Sequence, residues 1–242
     1  MKATQAILLA LAIAYQATAF AASPEEVAES AMEGYRLFMR DSLPDDRQKG
    51  YDMMLSAAWE GDAKAANNIG WLLQEGEFVE KDLKSACRWF ERAADQGLPV
   101  AALNYMDIII SHPDDALSQR TPDRERMAKA STLAGISMLM GRGLPYDSKR
   151  GEVLLLRGAL FGDENAMMTV AQQLEMYPDS FSYLPLEEIA KECDNLLPEG
   201  EKIVPQGMPL AEFADLMLSP AFWYQRSQSS QEETEGYKGI GL

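Results

Sequence analysis

Histidine and cysteine are scarce in this 242-residue chain, which has one His and two Cys. Two cysteines cannot form a dense disulfide framework or a four-ligand zinc site. A single bridge between Cys87 and Cys193 and simple burial of both thiols in helices remain open. His112 lies in a segment rich in Pro and Asp, with no nucleophile motif that would complete a catalytic triad. These scarcities favour a protein without catalytic residues, a metal site or a cofactor.

Basic residues are also few, because 22 Lys and Arg stand against 38 Asp and Glu, for a net charge of −16. A chain of this charge repels the phosphate backbone, which argues against nucleic acid as a partner. An anionic membrane surface is disfavoured for the same reason. Cationic partners stay open beside the simpler interpretation that the acidic residues form a solvated surface.

Long apolar runs are absent except for one short run at the N-terminus. Lys2 precedes the apolar residues 6–14, and small residues follow at Ala19 and Ala21. This order is typical of a secretory signal peptide, and the run is too short to span a bilayer. We therefore predict that residues 1–22 are removed. The mature protein is then periplasmic or secreted, without membrane insertion after cleavage.

What the sequence does have is an internal repeat. A shift of 36 residues superposes six residues without a gap: Gly34, Leu43, Asp46, Ala57, Ala58 and Gly61 on Gly70, Val79, Asp82, Ala93, Ala94 and Gly97. A shift of 65 superposes seven residues: Gly70, Gly76, Val79, Asp82, Lys84, Ala94 and Gly97 on Gly135, Gly141, Leu144, Asp147, Lys149, Ala159 and Gly162. A period of 20–50 residues is typical of stacked supersecondary units.

Each repeat has the pattern of a helix A, a loop and a helix B. In the clearest copy, residues 63–74 place apolar side chains at helical spacing, and Gly76 supplies a left-handed C-cap. Asp82 is positioned to cap helix B, which runs over residues 83–94. The sequence therefore predicts an all-α fold.

The repeats also suggest how the chain divides. We predict a repeat array over residues 23–176 with a degenerate unit around 98–126, where most of one helix B is lost. Residues 177–224 lack the repeat glycines and suit a C-terminal helical cap. Residues 225–242 are rich in Ser, Gln, Glu and Gly and are predicted to be disordered.

The sequence resembles the Sel1-like repeat, a relative of the tetratricopeptide repeat, over roughly residues 25–176 and most specifically at residues 65–97. The matching residues are Ala65, Ile69, Gly70, Gly76, Val79, Asp82, Ala86, Trp89, Phe90, Ala93, Ala94 and Gly97. Phe78 departs from the pattern, where the loop's second glycine is expected. The resemblance implies a right-handed α/α superhelical solenoid of helix–loop–helix repeats, whose concave surface holds partner proteins.

The resulting hypothesis is an exported, non-catalytic scaffold that binds a protein or peptide. Two alternatives remain: a periplasmic immunity or inhibitor protein against a secreted effector, and a β-lactam-binding hydrolase of the cysteine-rich repeat type. This chain lacks the paired cysteines of the latter. The candidate partner-binding residues are polar or aromatic side chains at the edge of helix A faces or near the C-terminus: Asn67, Asn68, Trp71, Gln74, Asn104 and Trp223.

Overall fold

The computed structural model describes residues 22–39, 44–116 and 123–238. The predicted signal peptide lies, apart from residue 22, outside the described residues. By its contacts the chain divides into two compact units, Met1–Ile69 and Gly70–Leu242. Every regular element in the described ranges is a helix, so the predicted all-α class is confirmed. None of these helices is both long enough and apolar enough to cross a membrane.

The first unit contains α1 (Pro24–Met39), α2 (Pro44–Glu60) and the beginning of α3 (Ala63–Glu75). α1 begins with a reciprocal capping box, in which Ser23 N donates to Glu26 Oε2 at 2.7 Å and Glu26 N donates to Ser23 Oγ at 3.2 Å. α1 and α2 pack against each other with backbones in close contact.

The second unit continues with nine α-helices and one 3₁₀ turn in its described residues. They are α4 (Leu83–Ala94), α5 (Pro99–Ser111), α6 (Pro113–Ala116), α7 (Arg124–Met140), α8 (Ser148–Phe161), α9 (Glu164–Met176), α10 (Leu186–Asn195), the 3₁₀ turn Glu199–Glu201, α11 (Leu210–Met217) and α12 (Pro220–Lys238).

Aspartates begin four of these helices. The Oδ1 atoms of Asp82, Asp123, Asp147 and Asp163 each accept a hydrogen bond from the backbone N–H three residues later, over 2.8–3.1 Å. These bonds satisfy N–H groups that have no partner inside the helix. The predicted cap at Asp82 is confirmed. α7 and α8 end at glycines in the left-handed conformation, as that residue allows.

The core of the second unit lies among α4, α5, α7, α8, α9 and the C-terminal helices. α7 packs along α8, α8 contacts α9, and α9 contacts α12. The largest fully buried side chains include Phe90, Phe161, Phe181, Phe213 and Trp223. Cys87 and Cys193 are both buried free thiols. Of the two interpretations left open by the sequence, a disulfide bridge and simple burial, the structure agrees with burial.

The connections between successive A helices differ in length. Residues 76–98 join α3 to α5 and residues 141–163 join α7 to α9, 23 residues in each case, and each stretch contains a full helix B, α4 or α8. Residues 112–123 join α5 to α7, only 12 residues. The helix described there is the four-residue α6. A 12-residue helix with a loop at each end does not fit in this stretch.

The C-terminal end differs from the sequence-based expectation. α12 extends beyond residue 225, where we predicted a disordered tail. Ser227 is buried, and Arg226 Nη2 donates to the backbone oxygen of Leu160 at 3.2 Å. Composition suggested disorder because these residues are polar. In the structure, however, the small side chain of Ser227 and the guanidinium of Arg226, bound to a carbonyl oxygen, fit into the contact between helices. Residues 239–242 lie outside the described residues.

Candidate functional site

A groove of about 540 Å³ opens in the second unit beside α4, α5 and α7. We call it the α4–α7 groove. Its floor is apolar and contains Ala94, Tyr105, Ala130 and Leu133. Its charged rim consists of four carboxylates and two cations: Glu91, Asp95, Asp123, Glu125, Arg126 and Lys129. The rim therefore has a formal charge of −2.

Arg126 connects the two walls of the groove. Its guanidinium lies 2.7 Å from Glu91 Oε1, 3.4 Å from Asp95 Oδ2 and 3.6 Å from Asp123 Oδ2. The Glu91 side chain is only 9% exposed. A carboxylate removed from water in this way needs a cation, and Arg126 supplies it from 35 residues away in the chain. The ion pair fixes the first turn of α7 against the end of α4.

The charge of Asp95 is only partly compensated. Partial burial raises the pKa of Asp95, the attraction of Arg126 opposes this, and the neighbouring carboxylates Glu91 and Asp123 raise the pKa further. Desolvation lowers the pKa of Arg126, but the attraction of Glu91, Asp95 and Asp123 and the hydrogen bond to Glu91 together outweigh it, so the pKa is raised. A further positive charge brought to the rim would therefore stabilise ionised Asp95.

Lys129 and Glu125 form an exposed ion pair one helical turn apart on α7. Such a pair contributes little to stability, since water screens both charges. The pair places one charge of each sign at the outer edge of the groove.

The charged groups of the groove are paired with one another, and the lining residues include neither a Cys, a Ser nor a His. Elsewhere, burial raises the pKa of Cys193 to about 12, so its thiol stays protonated and unreactive. Among the described residues, no group of three or more His, Cys, Asp and Glu side chains is arranged to hold a metal ion.

The residues that we predicted from the sequence do not line this groove. Asn67 and Asn68, in the first unit, are half-buried on α3. In the second unit Trp71 is 46% exposed, and Gln74 on α3 and Asn104 on α5 are half-buried. Asn104 directly precedes Tyr105 of the groove floor. The role of these five residues in partner binding remains a prediction.

Trp223 requires a correction. We predicted it as a partner-binding residue, but its side chain is fully buried. The indole Nε1 donates to the backbone oxygen of Met217 at 2.8 Å, and the ring meets that of Phe222 edge-on at 4.9 Å. Trp223 therefore attaches α12 to α11, as expected of an aromatic side chain in a capping element, and offers no surface to a partner.

Sequence reasoning missed the ion pair that shapes the groove, although one signal was available. Leu83, Cys87 and Ala94 form an apolar stripe on α4, and Glu91 falls on the same stripe, one turn after Cys87. A carboxylate on the buried face of an amphipathic helix indicates a cationic partner elsewhere in the fold. The identity of that partner, Arg126, required the packing of α7 against the preceding repeat.

Residues 63–98 match the family of the Sel1 repeat. The chain contains a Sel1 repeat. The matched segment spans α3, the following loop and α4, so the resemblance seen at residues 65–97 is confirmed. It also includes one wall of the groove, with Glu91, Ala94, Asp95 and Gly97. Sel1 repeats typically mediate interactions between proteins as scaffolds.

Among the solved structures that are similar to this chain are two described as Sel1 repeat or SLR-fold proteins. One is a Sel1 repeat protein from Oxalobacter formigenes, at 17% identity over 88% of this chain and 93% of the other, with a TM-score of 0.36. The second is a protective antigen present in uropathogenic Escherichia coli strains that displays an SLR fold, at 16% identity over 84% of this chain and 48% of the other, also with a TM-score of 0.36. No curated protein matches the sequence.

Proposed function

We propose that this chain is an exported, non-catalytic scaffold that binds another protein or peptide in the α4–α7 groove. The observation that carries the proposal is the groove itself, which combines an apolar floor with a charged rim and has a Sel1 repeat as one wall. Protein-binding surfaces commonly have this arrangement of an apolar centre and a polar edge.

The composition of the groove floor is consistent with a protein as the ligand. Ala94, which is half-buried, and Ala130, which is buried, give the floor small apolar side chains. Leu133 is half-buried and offers apolar surface at the same place. A partner would remove this surface from water, which is the main favourable contribution to association.

Export is supported by the sequence of the first 22 residues, which have the charge, apolar run and small residues of a signal peptide. Mass spectrometry of the protein recovered from its native cells would test this. We expect an N-terminus near residue 22 or 23, and an intact Met1 would contradict export through this signal.

The binding proposal is tested by affinity capture from an envelope extract, with mass spectrometry of the co-purifying proteins. Leu133→Glu introduces a carboxylate into the floor of the groove. Leu216→Glu is its matched control, since Leu216 on α11 is 37% exposed and lies outside the groove. Thermal unfolding of both variants verifies that they are folded.

We expect a partner that is retained by the original chain and by Leu216→Glu and is lost with Leu133→Glu. A partner that survives Leu133→Glu would place the binding surface elsewhere. If no protein co-purifies above a control column, the scaffold proposal fails.

A further inference from the structure

The α4–α7 groove lies at the repeat that lacks a helix B. In the complete repeat formed by α7 and α8, helix B packs against its own helix A and against α9, the helix A that follows. At the incomplete repeat α5 itself packs against α7, and the four-residue α6 contacts α4 and α5. The groove is lined by α5, by α7 and by α4, which is the helix B of the preceding repeat.

We propose that the groove accepts a basic amphipathic helix of a partner protein, which packs as an additional helix beside α4 and α7. This inference rests on the proposed function and specifies the chemistry of the partner. A helix laid in a groove with its apolar face inward is a recurrent mode of peptide recognition.

The charge of the B helices in the second unit supports a basic ligand. α4 has three cations against one carboxylate, and so does α8, although the whole chain has a net charge of −16. These charged residues are Lys84, Arg88, Glu91 and Arg92 on α4 and Lys149, Arg150, Glu152 and Arg157 on α8. The B helices of both complete repeats in the second unit are thus at +2, which complements the −2 of the groove rim.

The contacts of α8 show how such charges are used. Arg150 at the start of α8 binds Asp107 of α5, with Nη2 to Oδ2 at 2.6 Å. Arg157, on the same helix, binds Glu192 of α10. Basic side chains of a helix B therefore reach carboxylates on neighbouring helices in this fold. A basic ligand helix would find Asp95, Asp123 and Glu125 in comparable positions on the rim.

The size of the groove sets the length of the ligand. The lining residues of α7 extend from Asp123 to Leu133. At 1.5 Å per residue this is about 15 Å, or roughly three helical turns. A helix of about ten to twelve residues covers it, which is close to the 12 residues of α4.

A synthetic peptide tests the inference. The probe is residues 148–161 of this chain, SKRGEVLLLRGALF, with blocked ends and a fluorescein label, because it is a basic amphipathic helix B of known sequence. We expect saturable binding to the full-length mature chain by fluorescence anisotropy. The circular dichroism of the mixture should also show a gain in helix over the sum of its components.

Two double variants locate the binding. Asp95→Asn with Glu125→Gln removes two charges from the groove rim, and we expect the dissociation constant to rise about fivefold. Glu187→Gln with Glu188→Gln makes the same change of net charge on the exposed start of α10, and we expect less than a twofold rise. Equal weakening by both pairs would mean attraction to the overall charge and would overturn the inference.

A scrambled peptide of the same composition, in which the cations no longer share a face, separates docking of a helix from simple attraction. It should bind at least fivefold more weakly. Equal binding of the scramble, or no binding of the original probe, overturns the inference. The capture experiment with Leu133→Glu stays independent of these results, because it detects a protein partner of any charge or conformation.

Discussion

The complete repeat α7–α8 and the incomplete repeat that begins with α5 differ at one equivalent position. Gly135 on α7 lies so close to α8 that a Cβ atom there would be 2.8 Å from the backbone nitrogen of Leu155. Gly70 on α3 is equivalent and packs against Phe90 of α4. One period after Gly70, α5 has Met106, which is fully buried. Helix A thus has a glycine at this position in the repeats in which a full helix B packs closely against it. In the repeat with the shortened connection, helix A has a large side chain at the same position.

The difference shows how one repeat type yields both rigidity and a binding surface. Where a glycine of helix A permits backbone contact, helix B packs closely and its surface is buried against the neighbouring helices. Where the connection is shortened to residues 112–123, apolar and charged side chains of the neighbouring helices line the groove. The binding surface arises from the loss of an element and needs no added one.

The largest effect is expected from breaking the complete repeat. Gly135→Val places a branched side chain against the backbone of α8, which cannot move without separating the two helices. We expect a loss of about 3 kcal/mol in the free energy of unfolding, measured by urea denaturation. Gly200→Val is the control, because no atom lies within 4 Å of a Cβ at Gly200, and a comparable loss there would contradict this explanation.

A smaller effect is expected at the groove. Arg126→Met leaves the carboxylate of Glu91, which is 9% exposed, without its cation. We expect a loss of about 2 kcal/mol, below the cost for fully buried pairs because Arg126 is 39% exposed. The variant Glu91→Gln with Arg126→Met removes both charges and should recover about half of this loss. No recovery in urea denaturation would mean that Arg126 stabilises the fold through contacts other than Glu91.

The sequence was sufficient for the helices of the complete repeats because their signals are local. Asp82 and Gly76 lie next to the helix ends that they determine, and the 36-residue shift repeats them. The groove depends on Glu91 and Arg126, which are 35 residues apart and meet only through the packing of successive repeats. The pattern predicted a degenerate repeat but gave no rule for which side chains its shortened connection would leave at the surface.

The C-terminal helix was mispredicted for a related reason. Residues 225–229 have the composition of a disordered segment, and no local pattern distinguishes them from one. They are held by tertiary contacts, since Arg226 binds the carbonyl of Leu160, 66 residues earlier. Desolvation and, to a smaller extent, the nearby charge of Arg124 together lower the pKa of Arg226 to about 10. Such a site is recognised only from the fold that surrounds it.

The smallest effect on the free energy of unfolding is expected from Asp95 on the groove rim. The sign of this effect distinguishes a residue suited to ligand binding from one that stabilises the fold. The pKa of Asp95 is raised above its ordinary value of 3.8, so the folded chain holds this proton more tightly than the unfolded chain does. Ionisation of Asp95 therefore disfavours folding, and its contribution to stability falls as the pH rises from 3.8 through the raised pKa. The ionised carboxylate of Asp95 in the groove therefore lowers the stability of the fold.

Asp95→Asn should accordingly stabilise the chain slightly at neutral pH, by under about 0.5 kcal/mol because Asp95 is half exposed. The gain should vanish at a pH well below 3.8, where Asp95 is protonated in both the folded and the unfolded state, and paired urea denaturations at the two pH values measure it. A residue retained for folding alone would give the opposite sign at neutral pH. Asp95→Asn is also one half of the double variant that is expected to weaken peptide binding. If the double variant binds more weakly and Asp95→Asn alone is more stable, the acidic rim is suited to a cationic ligand at the expense of the stability of the fold.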